Sequence, residues 1–350
     1  MIEIIESCDG FDSLKEEWIS IEASRHMRIQ QTFLWNKEAW PSIVDNRKRL
    51  HIIKWQNENS HDTLIFPFYI DGNGTLRFIN DLHNDHCDVV YSQSDANRSK
   101  AYREVVDHIL NEKRIKDVWL QKLSSDSEAL KYLGVFVPGA IVARDNSYAW
   151  IVVDETGDFA TSQKHLKSEE RKHLRYLLKK SSNCEFKILS QKAGNLFPES
   201  EIMTLRNAMV AKGVRSDGFL PREQLRFVCS LYEAGKCEIP MLLKDGEVVA
   251  LNIHFIKDDT VLEWIFLGLE PHYGTEIDVR YSVEWAKKNR GIIDLGVGTY
   301  EYKLLTFRPF VDITYGLRMG KSYFRHMKQG LAMNVRFAKN YIKDMRQRRK

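Results

Sequence analysis

The feature that most constrains the fold is a run of three strand-like segments between Ile239 and Leu269. The first turn of this run, Lys244 to Glu247, contains the Asp-Gly pair that favours a tight hairpin, and a second turn follows at Lys257 to Asp259. The pattern predicts an antiparallel meander. A helix over Glu276–Lys288 and a strand over Ile292–Leu295 come next, and a strand reached through such a helix is expected to run parallel after a right-handed crossover.

Helical and strand patterns alternate over the rest of the chain, which predicts an α/β protein with mixed sheets. Helices are predicted over Phe11–Ala23, Ser99–Asn111, Ser127–Leu133, Ser162–Lys180, Ser200–Ala211 and Arg222–Glu233. Strands are predicted over Leu50–Trp55, Leu64–Ile70, Leu76–Ile79, Asp117–Gln121, Tyr148–Val153 and Glu185–Leu189. The first third repeats the rhythm of the second part in a weaker form, which indicates a degenerate duplicate.

The length of 350 residues exceeds the size at which one hydrophobic core stops growing, so two domains are expected. We place the first at 1–145 and the second at 146–317, with a basic C-terminal helix at 318–350. That last segment carries 11 Lys and Arg against one acid, a net charge of +10, whereas the other 317 residues sum to −6. This asymmetry favours an anionic partner near the C-terminus, either tRNA or an anionic membrane surface, without a stable nucleic-acid complex.

Five cysteines form no Cys-x-x-Cys pair, which favours isolated thiols in a reducing compartment. The N-terminus lacks the basic and then apolar order of a signal peptide, and no apolar run approaches the roughly 18 residues of a membrane span. The sequence therefore predicts a cytoplasmic protein, with peripheral contact to a membrane as the alternative.

The best candidate site is the stretch from Ile292 to Phe307, where an apolar strand runs into two glycines. Strands that end in glycine often expose backbone to a ligand. The polar and glycine members of this stretch are Asp294, Gly296, Gly298, Glu301, Tyr302 and Lys303. Two acids, a phenol and an amine so close together favour acyl transfer to an amine or hydroxyl, in which Asp294 or Glu301 takes the proton and Tyr302 positions the substrate. The alternative is a structural turn in which Lys303 pairs with one of these acids.

Three further segments are candidates for binding. Along the helix 162–180, the basic residues Lys164, Lys167, Arg171, Arg175 and Lys179 fall in one stripe that suits phosphates, although a solvated face would have the same composition. In the strand 248–255, Asn252 and His254 share a face that either lines a cleft, with His254 as a base near physiological pH, or lies under a helix. His83 to Asp88 has metal-ligand residue types but no second cluster, so no metal site is predicted.

Four segments carry a resemblance to a known family. They are Phe33–Trp35 with Trp40, the basic helix Lys167–Arg175, the hairpin Lys244–Ala250, and Asp294–Lys303. Together they resemble the GNAT-related acetyltransferases of the CelD/BcsL (cellulose-biosynthesis-like) type and, more distantly, the Fem aminoacyl-tRNA-dependent peptidyltransferases. The resemblance covers most of residues 10 to 310 and implies two tandem GNAT-like domains, with an acyl-transfer site in the second and Lys303 as the source of positive charge.

The same resemblance implies a loop for the pyrophosphate of acyl-CoA before the helix at 276. The matching residues Tyr273, Gly274 and Thr275 contain one glycine of the expected pattern, and the acids Glu270 and Glu276 flank them. Negative charge there disfavours phosphate, so acyl-CoA (acetyl-CoA) as donor is an open question. No metal cofactor is expected.

The sequence therefore predicts an acyltransferase (N- or O-acetyl or acyl transfer). Its acceptor would contain a sugar or a peptide, as a small molecule, a glycolipid or a peptide. The reaction would belong to surface-polysaccharide or envelope biosynthesis. One alternative is a Fem-like transferase that uses aminoacyl-tRNA. The other is a catalytically silent GNAT-fold binding module.

Overall fold

The computed structural model describes residues 1–60, 62–79, 81, 84–92, 97–136, 139–153, 167–180, 183–288, 291–320 and the single positions 331, 334, 335, 338 and 339. Most of the predicted C-terminal helix at 318–350 and the start of the predicted helix at 162 fall outside this part of the chain. Residues 318–320 belong to a strand instead, and the five single positions are helical. Two compact units are present: one combines Met1–Ser147 with the chain from Asp312 onward, and the other is Tyr148–Val311.

Helices and strands alternate along both units. The strands are β1 (Ile2–Ile5), β2 (Arg49–Leu50), β3 (Ile52–Gln56), β4 (Thr63–Phe66), β5 (Phe68–Ile70), β6 (Thr75–Phe78), β7 (Val90–Tyr91), β8 (Asp117–Ser124), β9 (Ile141–Val153), β10 (Glu185–Ser190), β11 (Cys237–Lys244), β12 (Glu247–Lys257), β13 (Thr260–Gly268), β14 (Gly291–Val297) and β15 (Phe310–Gly320). The helices are α1 (Cys8–Ser13), α2 (Lys15–Ser24), α3 (Phe33–Ile43), α4 (Arg98–Asn111), α5 (Glu128–Phe136), α6 (Ser168–Lys180), α7 (Glu199–Ala211), α8 (Arg222–Glu233), α9 (Pro271–Lys288) and α10 (Glu301–Phe307). The predicted mixed α/β class is confirmed.

In the second unit the strands form a sheet in the order β10-β11-β12-β13-β14-β9. The three strands β11, β12 and β13 are antiparallel neighbours, as the meander predicted. Strand β14 pairs with β13 in parallel, with Thr260 opposite Ile292. The crossover through α9 therefore returns the chain parallel to β13, also as predicted.

Helices cover both faces of this sheet. The side chains of β12 alternate between the two faces. The face of β12 that carries Phe255 packs against α8, where the ring centroids of Phe227 and Phe255 are 5.8 Å apart. The opposite face packs under α9, where Ile277 joins Ala250 in one buried cluster. A polar side chain on the α9 face of β12 is therefore cut off from bulk water.

The first unit contains two sheets, with strand orders β1-β3-β4-β7 and β15-β8-β6-β5-β2. One core lies between β3 to β8 and helices α4 and α5, with Phe66 against Tyr102 at 5.3 Å. A second core includes Phe11, Trp18 and Phe33 from α1 to α3, whose rings meet edge to face or stacked. The aromatic segment around Phe33 and Trp40 serves this core, since both side chains are buried.

Several elements differ from the sequence prediction, and strands β1 and β7 and helix α3 are among those not predicted. Residues 301–307, for which no helix was predicted, form the short helix α10, which buries Lys303, Thr306 and Phe307 at helical spacing. Helix α9 begins at Pro271 rather than Glu276, since proline is well suited to a first helical position. Strand β15 was not predicted. Within the described residues, every helix is too short or too polar to cross a bilayer.

Candidate functional site

A group of polar side chains lies inside the second unit between β12, β13 and α9. Asn252 and His254 project from β12, Glu263 from β13 and Asp278 from α9; Asn252, His254 and Asp278 are buried and Glu263 is half-buried. The Asn252 amide donates a hydrogen bond to the Asp278 carboxylate. The ring of His254 packs edge-on against Tyr281, with centroids 4.3 Å apart. The predicted face of Asn252 and His254 thus lies under a covering helix.

A bulge in the β12–β13 pairing brings His254 and Glu263 together. Ile253 pairs with Ile265, but the register then shifts, and His254 pairs with Glu263. Trp264 is the residue that the shift skips. Because one extra residue reverses the alternation of a strand, the bulge turns Glu263 toward the same face as His254.

Burial dominates the electrostatics of this group. It lowers the pKa of His254 to about 3, so the ring is neutral throughout the physiological range. The predicted role of His254 as a base near pH 7 is therefore wrong, because a dry environment disfavours the imidazolium. Burial also raises the pKa of Asp278 to about 7, against the lowering effect of the Lys303 charge and the Asn252 hydrogen bond. The pKa of Glu263 is raised as well, by burial first and by the Asp278 charge second.

Lys303 and Asp294 lie at the glycine-broken end of β14. The ammonium of Lys303 is buried and donates to the backbone carbonyl of Leu295, with the carbonyl oxygens of Gly296 and Val297 each at 3.5 Å. The Asp294 carboxylate accepts from the Gly296 amide at 2.9 Å. Gly296 has φ 73° and Gly298 has φ 95°, a left-handed region that favours glycine. The two glycines thus turn the strand end around the lysine.

The other two residues predicted as catalytic lie closer to solvent. Glu301 is exposed in the first turn of α10. Tyr302 is 42% exposed and stacks on Tyr300 with ring centroids 6.2 Å apart. Burial, followed by the charges of Asp278 and Glu263, raises the pKa of Tyr302. Its hydroxyl therefore lies within electrostatic range of these two carboxylates.

The predicted basic stripe lies on α6, which packs against α9 and α10. Arg171 is half-buried and Arg175 is exposed, with the Arg175 Nε donating to the Arg171 carbonyl at 3.3 Å. Lys167 and Lys179 are exposed, whereas Lys164 lies outside the described residues. The stripe is therefore next to the helix that carries Lys303.

The residues predicted to bind a pyrophosphate form the start of α9 instead of an open loop. The amide of Tyr273 already donates to the Glu270 carbonyl at 3.1 Å, and Gly274 and Thr275 are buried. The two flanking acids also differ. Glu276 is fully buried and ion-paired with Arg280 at 2.5 Å, so it does not face a phosphate as expected, whereas Glu270 is exposed. Binding of a donor at Tyr273, Gly274 and Thr275 remains a prediction.

The segment with metal-ligand residue types, His83 to Asp88, is described from Asn84 onward, and His83 lies outside the described residues. Asn84 accepts from the Trp35 indole at 2.6 Å. Asp88 accepts from the Glu128 and Ala129 amides and from the Ser127 hydroxyl. These contacts stabilise the start of α5, and they give these two side chains a structural role.

Sequence reasoning missed Glu263 and Asp278. Each is a single acid among apolar neighbours: Glu263 lies between Leu262 and Trp264, and Asp278 between Ile277 and Val279. An acid between two apolar residues could have indicated both as site candidates, because buried carboxylates are rare unless they are paired or functional. The bulge that unites them is not visible in the residue types.

Solved structures with the same fold cover almost the whole chain. The C-terminal domain of a candidate lysylphosphatidylglycerol synthetase from Agrobacterium fabrum has a TM-score of 0.60 at 12% identity, covering 92% of this chain and 95% of that one. L-PGS from Bacillus licheniformis has a TM-score of 0.58 at 11% identity, covering 91% and 96%. FemX has a TM-score of 0.51 at 10% identity, covering 90% and 96%. The fold is that of the GNAT-like and Fem-like proteins.

No protein-family model matches the chain, and no curated protein matches it significantly. The similarity at these identities concerns the fold alone. The predicted resemblance to the GNAT and Fem group is confirmed at that level, and the finer CelD/BcsL assignment stays a prediction.

Proposed function

We propose that this chain is an acyltransferase whose reaction is centred on Lys303. The supporting observation is the buried Lys303 ammonium, which donates to the carbonyl of Leu295, the residue after Asp294, at the turn formed by Gly296 and Gly298. In acyl transfer, an amine or hydroxyl attacks the donor carbonyl and a C–N or C–O bond forms. The donor's thioester or ester bond then breaks, and the leaving group takes up a proton. A fixed positive charge stabilises the oxyanion that forms between these two events.

Asp294 is the better proton acceptor of the two acids predicted for that role. It is buried on the strand that leads into the Lys303 turn, whereas Glu301 is exposed. A carboxylate held by the Gly296 amide keeps one oxygen in a fixed direction, which suits removal of a proton from the acceptor directly or through one water. The partly exposed Tyr302 would then contact the substrate.

The donor would carry phosphate groups, since α6, which packs against α9 and α10, carries exposed basic residues that suit phosphates. Acyl-CoA and aminoacyl-tRNA both satisfy this requirement. Aminoacyl-tRNA is favoured by the closed start of α9, where the Tyr273 amide is already bonded. The names of the structures with the same fold, a candidate lysylphosphatidylglycerol synthetase and FemX, also point to the Fem-like alternative. The acceptor would be a sugar- or peptide-containing envelope precursor handled in the cytoplasm or at the membrane surface, as the CelD/BcsL resemblance implies.

Purified protein should be screened by thermal shift against acyl-CoAs and, separately, against tRNA charged with different amino acids. Transfer should then be followed by mass spectrometry with sugar nucleotides, lipid-linked precursors and peptides as acceptors. Product formation that ribonuclease abolishes would select the tRNA donor. If folded protein binds neither donor class and forms no product, the chain is a binding module and the proposal is wrong.

A further inference from the structure

His254 is fully buried, yet neither of its ring nitrogens has a hydrogen-bond partner. The edge contact with Tyr281 explains how the ring packs, but it leaves Nδ1 and Nε2 unsatisfied. The Glu263 Oε1 atom and the Asn252 Oδ1 atom are also buried without a partner. Buried polar atoms normally have partners, because an unsatisfied one has lost its hydrogen bonds to water without gaining others. Three such side chains side by side require an explanation.

Two of these side chains, His254 and Glu263, lie around one point together with Asp278. One ligand atom each from His254, Glu263 and Asp278 lies within 4.8 Å of the other two. Metal–nitrogen and metal–oxygen bonds of about 2.0–2.2 Å separate neighbouring ligand atoms by roughly 3–4 Å. The three side chains therefore need to move only slightly to bind one ion. The Asn252 amide, which is bonded to Asp278, places a further unsatisfied oxygen beside them.

We propose that His254, Glu263 and Asp278 bind a divalent transition-metal ion inside the second unit. One imidazole nitrogen and two carboxylate oxygens suit Zn²⁺ or Mn²⁺ better than Mg²⁺ or Ca²⁺, which prefer oxygen ligands alone. Such an ion would link the β12–β13 hairpin to α9, because its ligands come from all three elements.

The inference is independent of acyl transfer, because ion binding needs no substrate. Metal content should be measured on the full chain as purified. The protein should then be treated with a chelator and titrated with Zn²⁺, Mn²⁺, Co²⁺, Mg²⁺ and Ca²⁺ by calorimetry and thermal shift. One equivalent of Zn²⁺ or Mn²⁺ should bind and raise the melting temperature. Bound Co²⁺ should show the visible absorption bands of a site with mixed nitrogen and oxygen ligands.

Glu263→Gln and Asp278→Asn should each weaken Zn²⁺ affinity at least about 10-fold, since both lose a charged ligand. Glu238→Gln is the matched control: Glu238 is a neighbouring carboxylate that accepts from Tyr281 at 2.7 Å and is not part of the ligand set. The Zn²⁺ affinity of the Glu238→Gln variant should be unchanged. The wild-type titration decides the question even if the ligand variants fail to fold. Absence of a stoichiometric ion in both the purified and the titrated wild type overturns the proposal, as does an equal loss of affinity in Glu238→Gln.

Discussion

The Asn252 side-chain amide donates to the Asp278 carboxylate, which connects strand β12 to helix α9 through a polar contact in the buried layer between them. Both residues are buried, so water cannot replace either partner. Loss of the Asn252 amide would therefore remove a hydrogen bond that the solvent does not restore.

Asn252→Ala should lower the free energy of unfolding by about 1–3 kcal/mol, because it leaves the Asp278 carboxylate without its donor. The exposed Asn207 on α7 is the matched control, since its Ala variant should change stability by less than about 0.5 kcal/mol. Urea denaturation followed by circular dichroism measures both. Equal stability of the two variants would show that the Asn252 contact is dispensable.

Lys303→Met should abolish transfer, because the fixed positive charge is lost. It should also destabilise the protein by about 1–3 kcal/mol, since buried carbonyls lose their donor. A melting curve must therefore accompany every activity measurement on this residue. Lys187→Met, on exposed Lys187 of strand β10, serves as the control. Full transfer activity in folded Lys303→Met protein would exclude the proposed role.

Gly298→Ala should destabilise the second unit by about 1–3 kcal/mol, because it combines backbone strain with a steric clash. Gly298 has φ 95°, and a β-carbon there would lie 2.6 Å from the Tyr300 ring. Gly218→Ala is the control, since a β-carbon at that position would have no other atom within 4 Å. Thermal unfolding of the two variants compares them directly, and a Gly298→Ala protein as stable as the control would refute the strain argument.

Two buried histidines should each lower the stability of the first unit as the pH falls below about 6.5. Burial lowers the pKa of His51 and of His108, whose rings stack 5.8 Å apart. Below the unfolded value of 6.5 the unfolded chain binds protons that the folded chain does not, so unfolding becomes more favourable. Above 6.5 this contribution to stability is fully present.

Buried carboxyl groups with raised pKa values change the stability in the opposite direction as the pH falls. The variant His108→Gln therefore isolates the contribution of one histidine. Its unfolding free energy, measured by urea denaturation from about pH 7 down to 5, should fall less steeply than that of the wild type. Identical slopes for the two proteins would mean that His108 does not contribute.

Several features of the fold could be predicted from the sequence because they depend on local patterns. The Asp-Gly turn at Asp245 and Gly246 predicted the β11–β12 hairpin, and the apolar periodicity of residues 222–233 predicted α8 at its observed bounds. The grouping of Asp294 with Lys303 followed from their nearness in sequence around two glycines. Helix α10 was missed because seven residues are too few to show a clear period.

The buried cluster of the second unit was decided by the tertiary structure alone. Glu263 meets His254 only because a bulge at Trp264 shifts the register, and Asp278 meets Asn252 only because α9 packs on that face of the sheet. These contacts join residues up to 26 positions apart. The sequence by itself determined the meander, the parallel return to β14 and the nearness of the reactive side chains of β14 and α10. Packing determined which side chains lose water, and hence the neutral state of His254 and the raised pKa of Asp278, because desolvation depends on what covers a residue.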